Sequence, residues 1–249
     1  MSGNTSDLTG HVAVVTGGST GIGRAIVDGL HLAGSKVAVL DRDPVENTDS
    51  IIGIQLDVRD ENAVREAMRH VADKWGRLDI LVTAAGGGSG DLDDNCASEL
   101  SSEALSDALV LNLFGTVHAC VAASPYFKAQ QSGSIVTIGS INGMEATAHG
   151  SYAHYGTAKA AVAAYTTYLA QDLAPHGVRA NLVAPGPIST ARLATKYAEQ
   201  GKDQGEGIPF GRPGTPEEIA NTVLFLASPA TPFLTGATIA VHGGLIRSI

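Results

Sequence analysis

Short apolar runs alternate with amphipathic stretches along most of the chain. Each run has four to six residues, and most are rich in valine, isoleucine and leucine, which is typical of a strand buried on both faces of a parallel sheet. Strands that alternate with helices predict an α/β fold with a doubly wound parallel sheet and helices on both faces. We predict strands at 11–15, 36–40, 53–56, 78–83, 133–138, 178–183 and 238–241.

The stretches between most of these runs carry apolar residues at helical spacing. Residues 60–75 show it most clearly, because Val64, Ala67 and Met68 share one face with Val71. Residues 43–52 are the exception, since ten residues rich in Pro, Asn, Asp and Ser leave little room for a crossover helix. The predicted helices are 24–33, 60–75, 103–131, 155–174 and 216–227, the last beginning after Thr215 as N-cap with Pro216 at the first position.

A glycine-rich turn joins the first predicted strand to the first predicted helix. Residues 16–23 read TGGSTGIG. Glycines allow a tight turn and a close approach of the backbone to a ligand, and the N-terminus of the following helix attracts a pyrophosphate. Such turns also occur for purely structural reasons, but the order strand, turn, helix favours a dinucleotide-binding site.

Asp41 directly follows the second predicted strand. An acidic residue at this position accepts hydrogen bonds from the ribose hydroxyls of the cofactor and repels the additional phosphate of NADP, so it favours NAD. Arg42 argues the other way, because a cation there can accommodate that phosphate. A simpler alternative is that residues 41–44 form a polar turn with no ligand.

Residues suited to ligand binding follow the carboxyl ends of several predicted strands. In an open parallel sheet, ligands bind in the crevice outside these ends. The clustering therefore predicts a functional site along one edge of the sheet. The residues concerned are Asp41, Asp57, Gly86, Ser140 and Pro185.

Tyr155 and Lys159 lie four residues apart in a predicted helix and therefore on one face of it. A free tyrosine has a pKa of about 10, and a nearby ammonium lowers that pKa. The pair is suited to moving a proton to or from a substrate oxygen, since an acid/base group works best with its pKa near the operating pH. By itself the spacing is also compatible with one core ring and one surface charge.

Composition narrows the class of protein further. The net charge of −9 argues against nucleic acid or an anionic membrane as a partner. Cys96 and Cys120 cannot form a disulfide framework, and the eight histidines show no metal-binding spacing, so we predict no metal and a reducing compartment. Residues 1–10 contain no signal-peptide core, and we find no apolar stretch of about 18 residues. We expect a cytoplasmic protein with one domain over residues 1–249.

Together these motifs identify the chain as resembling the short-chain dehydrogenase/reductase family. The glycine turn, Ser140 and the Tyr155-x-x-x-Lys159 pair occur in the family's order. Asn112 and the sequence PGPIST at 185–190 complete the set, and the resemblance covers essentially the whole chain. It implies a Rossmann fold, a nicotinamide cofactor and an expected homotetramer with helices 103–131 and 152–174 at its interfaces.

The resemblance implies four catalytic residues. Tyr155 would exchange a proton with the substrate oxygen, and Lys159 would lower the pKa of Tyr155 and hold the nicotinamide ribose. Ser140 would bind the same substrate oxygen, and Asn112 would bind a water that links Lys159 to solvent. The implied cofactor-binding residues are Gly17, Ser19, Thr20, Gly21, Ile22, Gly23, Asp41, Asp57, Val58, Ala84, Ala85, Gly86, Tyr155, Lys159, Pro185, Gly186, Ile188 and Thr190.

The sequence also departs from the family's pattern. After the fourth strand it has TAAG at 83–86 instead of a motif with asparagine, and the segment from Ser140 to Tyr155 is about two residues longer than usual. Tyr152 is rejected as the catalytic tyrosine, because Gly156 and not lysine lies four residues after it.

Residues 189–212 are polar and are predicted to form a lid over the substrate. We expect the lid from Arg192 to Phe210 to line the substrate end together with Gly87, Gly88, Ile141 and His154, where His154 is interpreted as a polar helix residue and not a catalytic one. The proposed substrate contacts are Ser140, Asn142, Met144, His149 and Tyr155.

These features predict an NAD-dependent oxidoreductase that transfers a hydride between nicotinamide and a secondary alcohol or ketone, with Tyr155 as general acid/base. The short 43–52 segment and the AAG turn at 84–86 also resemble dehydrogenases of cyclic dihydrodiols. An alternative of another class is a sensor or scaffold that binds NAD without turnover.

Overall fold

The computed structural model describes residues 7–199, 201, 203 and 205–245. The ends of the predicted 1–249 domain and residues 200, 202 and 204 of the predicted lid lie outside these ranges. The described chain forms one seven-stranded parallel sheet in the order β3-β2-β1-β4-β5-β6-β7, which is the doubly wound arrangement that the sequence predicts. The strands are β1 (Val12–Thr16), β2 (Lys36–Asp41), β3 (Ile51–Gln55), β4 (Ile80–Thr83), β5 (Gly133–Ile138), β6 (Val178–Pro185) and β7 (Thr238–Val241).

Seven α-helices accompany the sheet in the described part of the chain. Five fall on the predicted helical stretches, with ends that differ by a few residues. Two helices are additional: a short one lies in the predicted lid, and the predicted helix 103–131 is divided into two. The helices are α1 (Gly21–Leu32), α2 (Glu61–Trp75), α3 (Ser102–Leu109), α4 (Gly115–Gln130), α5 (Ala153–Leu173), α6 (Ala191–Glu199) and α7 (Pro216–Ala227).

The core lies on both faces of the sheet, as expected for buried parallel strands. Successive residues of β1 point to opposite faces: Val12 and Val14 pack with α2, α4 and α5, whereas Ala13 and Val15 pack with α1 and α7. This alternation explains why the strands read as continuous apolar runs. Because all strands pair in parallel, their carboxyl ends lie at the same edge of the sheet.

The connection from β2 to β3 contains no helix in the structure, as the short 43–52 segment predicts. The segment is held by side-chain hydrogen bonds instead, because the Gly53 amide donates to Asn47 Oδ1 at 2.7 Å and the Ile51 amide to Thr48 Oγ1 at 3.0 Å. The two strands therefore pair directly in parallel from Val37 with Ile51 to Asp41 with Gln55.

A turn of π-helix, Val110–Phe114, joins α3 to α4 and contains Asn112. Together they form one continuous helix, Ser102–Gln130. By its length and its apolar composition alone, this helix could span a membrane. Our expectation that no such stretch exists was therefore wrong. One face of α4, with Cys120 and Phe127, packs into the core against the sheet, which is the arrangement of a core helix.

Candidate active site

A cavity of about 1380 Å³ opens at the carboxyl ends of the strands. It exceeds the roughly 300–1,000 Å³ of a typical small-molecule site, so a dinucleotide and a second small molecule can share it. Every residue that the resemblance assigns to the cofactor lies on its wall. These residues are Gly17, Ser19, Thr20, Gly21, Ile22, Gly23, Asp41, Asp57, Val58, Ala84, Ala85, Gly86, Tyr155, Lys159, Pro185, Gly186, Ile188 and Thr190.

The glycine turn forms the floor of one end of this cavity. A Cβ atom at Gly23 would overlap the Gly17 carbonyl oxygen, and one at Gly17 would lie 2.6 Å from the Ala85 Cα. Thr20, the N-cap of α1, makes no side-chain capping hydrogen bond, so the first amides of the helix are not satisfied by a cap. An uncapped helix N-terminus beside a tight glycine turn is suited to bind a pyrophosphate.

Asp41 is fixed by the protein at the end of β2. Its Oδ2 accepts a hydrogen bond from the Ser19 amide at 2.9 Å, and its Oδ1 accepts one from the Asp43 amide at 3.1 Å. The carboxylate therefore faces the glycine turn from the cavity wall, where Arg42 also lies. This arrangement suits recognition of ribose hydroxyls by an acceptor whose position is already set.

The pKa of Tyr155 differs from our expectation that Lys159 lowers it. Burial raises the pKa of Tyr155 to about 12, and a hydrogen bond with Ser140 and the charge of Arg192 offset this only in part. Lys159 Nζ donates to the Ile138 carbonyl at 2.8 Å and lies 5.7 Å from the centroid of the Tyr155 ring. Burial also lowers the pKa of Lys159 to about 8, so desolvation, not ion pairing, dominates both groups.

Ser140 lies at the end of β5 and faces the cavity. Its hydroxyl accepts a hydrogen bond from the Asn142 amide at 3.2 Å, which orients it at the start of a short turn. The Ser140 side chain also lies near Tyr155, whose pKa it lowers, and both residues line the cavity. The two hydroxyls can therefore bind one substrate oxygen between them.

Asn112 is fully buried behind the Gly86–Gly87 peptide. Its Oδ1 accepts from the Gly87 amide at 2.9 Å, while its Nδ2 donates to the carbonyls of Gly87 at 3.0 Å and Ala108 at 2.9 Å. The Asn112 amide therefore fixes the loop after β4, and the residue positions the cavity wall without lining it. Its binding of a water beside Lys159 stays a prediction.

The predicted substrate residues divide into two groups. Asn142 and His149 lie on the cavity wall with Ser140 and Tyr155. Met144 does not, and its assignment is corrected: its side chain packs against the buried cluster of Val162, Leu182 and Ala184. A methionine two residues after a polar wall residue is drawn into the nearest apolar cluster because burial of its side chain is favourable.

The predicted lid contains helix α6, which covers the substrate end of the cavity. Arg192 donates a hydrogen bond to the Gly88 carbonyl, and Lys196, one turn later, contacts the Tyr152 hydroxyl at 3.2 Å. Gly87 has a φ of 137°, a backbone conformation that side chains other than glycine rarely adopt, and this explains a glycine at this point of the loop. Motion of the lid stays a prediction.

Sequence reasoning undervalued Tyr152, which it weighed only as a rival catalytic residue. Tyr152 is buried, has a left-handed backbone with φ of 57°, and places its ring 5.4 Å from that of Tyr155. A non-glycine residue in this conformation is uncommon. The signal available in the sequence was the pair of aromatic residues three apart at the start of the helix.

A metal centre finds no support in the described residues. No group of three or more His, Cys, Asp or Glu side chains among them is arranged to hold a metal ion.

Comparisons with known proteins agree with this architecture. A family model described as enoyl-(acyl carrier protein) reductase matches residues 4–246. The chain is 42% identical to a cyclohexanol dehydrogenase of Rhodococcus sp. (strain TK6) over 97% of this chain and 98% of that protein. Its fold is similar to that of the ligand-free aldohexose dehydrogenase AldT of Thermoplasma acidophilum, with a TM-score of 0.86 and 32% identity over 98% of each chain. A structure of ElxO with NADP bound has a TM-score of 0.86 and 28% identity, over 94% of this chain and 98% of that one.

Proposed function

This chain belongs to the short-chain dehydrogenase/reductase family, and we propose that it is an NAD-dependent enzyme that interconverts a small secondary alcohol and its ketone. One observation carries the proposal: Tyr155 and Ser140 line the same cavity as the glycine turn of the cofactor end. The similarity to a cyclohexanol dehydrogenase supports a cyclic secondary alcohol as the substrate.

Proton transfer is assigned to Tyr155. Its hydroxyl protonates the substrate oxygen in ketone reduction and, once deprotonated, accepts the hydroxyl proton in alcohol oxidation. Ser140 orients that oxygen and stabilises charge that develops on it. Because burial holds the pKa of Tyr155 near 12, the residue is protonated at neutral pH, which favours its role as an acid.

The residues of the cavity fit a nicotinamide dinucleotide. The turn at Gly17–Gly23 would hold the pyrophosphate, Asp41 a ribose, and Asp57 with Val58 the adenine. Lys159 and Thr190 line the opposite end, where they would hold the nicotinamide part. When bound, the cofactor supplies or accepts the hydride.

Asp41 supports NAD over NADP, because a fixed carboxylate beside the ribose repels a phosphate. A related protein, ElxO, has been solved with NADP bound, so the choice between NAD and NADP is tested directly below. Arg42 is the residue that would decide for NADP.

The protein is further proposed to be a cytoplasmic homotetramer. Val121 of α4 and Tyr168 of α5 are exposed by 46% and 79% respectively. Apolar and aromatic side chains on the outer faces of these two helices suit a subunit interface. Two free cysteines and the acidic composition fit a reducing, aqueous compartment.

The test measures cyclohexanol oxidation with NAD and with NADP by wild type, Tyr155→Phe and Tyr168→Phe. We expect Tyr155→Phe to lower kcat by about 10²- to 10⁴-fold, because it removes the acid/base group, and to bind NADH within about threefold of wild type. Tyr168→Phe, an equal change at a tyrosine outside the cavity, keeps the aromatic ring of the proposed interface and should have the kcat and the NADH affinity of wild type.

Fluorescence titration of NADH and NADPH with wild type and Asp41→Ala decides the cofactor. The preference for NAD is supported if wild type binds NADH more tightly than NADPH and Asp41→Ala reduces this difference in affinity. Tighter binding of NADPH than of NADH by wild type contradicts the preference. NADH binding without turnover of any secondary alcohol or ketone would point instead to a sensor or scaffold.

A further inference from the structure

His154 is a buried imidazole whose ring nitrogens both lack a hydrogen-bond partner in the protein. The residue is 0% exposed and precedes Tyr155 in the first turn of α5. Among the described residues it is the one side chain with two buried polar atoms left unpaired. Leaving a buried donor or acceptor unpaired costs about 1–3 kcal/mol for each group, so the position calls for a functional explanation.

The imidazole belongs to the wall of the substrate end of the cavity. Its ring packs edge-on against Tyr152, with centroids 4.8 Å apart and an interplanar angle of 77°. The same Tyr152 ring lies 5.4 Å from the Tyr155 ring. His154 and the proposed proton-transfer residue are thus neighbours of one phenol, and both line the cavity.

Groups of the loop after β4 and of the lid helix act electrostatically on His154. The Ser89 backbone acts on the ring electrostatically, without a hydrogen bond of normal geometry to either nitrogen. Lys196 of α6 also lies near the ring and contacts the neighbouring Tyr152 hydroxyl. His154 therefore lies near elements that border the cavity.

The surroundings of His154 favour its neutral imidazole, because they lower its pKa. Burial lowers its pKa most strongly, the Ser89 backbone raises it, the Lys196 charge lowers it, and the Asp94 charge raises it, with a net lowering. A neutral imidazole offers one N–H donor and one acceptor nitrogen. That pair matches a hydroxyl group, which also donates and accepts, and its donor alone matches a carbonyl oxygen.

We propose that His154 determines substrate specificity by binding a second hydroxyl or carbonyl oxygen of the substrate while Tyr155 acts on the first. The substrate class is then a small diol or hydroxyketone, whose hydrocarbon part packs on the Tyr152 ring. The inference rests on the proposed function, since it needs the alcohol dehydrogenase reaction at Tyr155. It differs from that proposal in requiring a second oxygen.

The experiment compares kcat/KM for cyclohexanol with kcat/KM for the 1,2-, 1,3- and 1,4-cyclohexanediols. Wild type is expected to prefer at least one diol. His154→Leu should lower kcat/KM for that diol by about 10- to 100-fold, because the second oxygen loses its partner, and leave cyclohexanol within about threefold. His154→Gln keeps a donor and an acceptor and should retain most of the preference. His70→Leu, at an exposed histidine of α2, is the matched control.

Thermal unfolding separates specificity from packing. His154→Leu should raise Tm, because it removes two unpaired buried polar atoms and keeps an apolar side chain of similar size. An equal loss for cyclohexanol and diols together with a lower Tm would mean a packing role and overturn the inference. An unchanged ratio between diol and cyclohexanol would mean that His154 binds an ordered water only, and would also overturn it.

His154→Phe, which keeps an aromatic ring against Tyr152 but has no ring nitrogen, provides the same comparison should the leucine variant not fold. If wild type oxidises none of these alcohols with NAD or NADP, the proposed function itself fails. If wild type oxidises these alcohols but the diol preference does not depend on His154, only the role of His154 as ligand of the second oxygen is rejected.

Discussion

The cofactor end and the substrate end of the cavity are built in different ways. At the cofactor end, positive φ angles fall on glycines, such as Gly17 at 69° and Gly21 at 55°. At the substrate end they also fall on His149 and Tyr152, at 61° and 57°. A left-handed side chain other than glycine costs about 1–2 kcal/mol, so the substrate end contains strain that the cofactor end avoids.

Hydrogen bonding shows the same contrast. Both carboxylate oxygens of Asp41 are bonded to backbone amides, whereas both ring nitrogens of His154 are unpaired. The strained substrate end is fixed by backbone bonds between neighbouring loops, including the Tyr152 amide to the Asp94 carbonyl at 2.7 Å. Strain and unpaired groups persist where the surrounding structure fixes them, and they concentrate at functional sites. The contrast therefore indicates that the substrate end, and not the cofactor end, is where the structure keeps strained and unpaired groups for ligand recognition.

The largest effect is expected from a substitution in the glycine turn of the cofactor end. Gly23→Ala places a Cβ atom on the Gly17 carbonyl oxygen, a backbone atom that cannot rotate away. We expect a loss of about 3 kcal/mol in the free energy of unfolding and little NADH binding, measured by urea denaturation and fluorescence titration.

Gly76→Ala is the control for this substitution. Gly76 has a φ of 76° with nothing near its virtual Cβ, so it should lose only about 1–2 kcal/mol from the left-handed conformation and keep NADH affinity. Equal losses in the two variants would show that the turn at Gly17–Gly23 is not tightly packed.

A smaller change in the free energy of unfolding, an increase and not a loss, is expected from substitution of Lys159, which lies where the two ends of the cavity meet. Burial lowers its pKa from 10.5 to about 8, so the folded state disfavours the charged side chain. Lys159→Met should therefore increase the free energy of unfolding by about 1–3 kcal/mol at pH 7 while it lowers kcat. Urea denaturation and cyclohexanol oxidation measure the two changes.

The pH dependence gives this prediction a second test. Between pH 8 and 10.5 the unfolded chain binds the proton of Lys159 and the folded chain does not, so wild-type stability rises with pH in this window. The advantage of Lys159→Met should shrink accordingly. An advantage that is constant from pH 7 to 10 would contradict the lowered pKa.

The smallest effect concerns the contact between the lid and the strained loop. Lys196→Met removes the ammonium contact with the Tyr152 hydroxyl. Because such contacts are partly exposed, stability should change by less than about 1 kcal/mol. KM for the alcohol should rise by about three- to tenfold, since α6 is held less firmly over the cavity.

Lys74→Met, at an exposed lysine of α2, is the matched control for this change, and steady-state kinetics is the measurement. A rise in KM for NADH in place of the alcohol would assign Lys196 to the cofactor end. It would then remove the distinction between the two ends.

The sequence alone determined the alternation of strands and helices, the glycine turn and the start of α7. The last is confirmed as a capping box, with the Thr215 amide bonded to Glu218 Oε2 at 2.8 Å. These features could be predicted because each depends on a few consecutive residues. The side chains that decide them are neighbours along the chain.

Only the tertiary structure decided how the polar groups of the site are used. Asn112 bonds to the Gly87 peptide through the π turn, Met144 enters an apolar cluster, and α6 brings Lys196 to Tyr152. The pKa of Tyr155 depends on burial, which no local sequence pattern specifies. These properties come from contacts between residues distant in the chain and from the exclusion of water, and both exist only once the chain is folded.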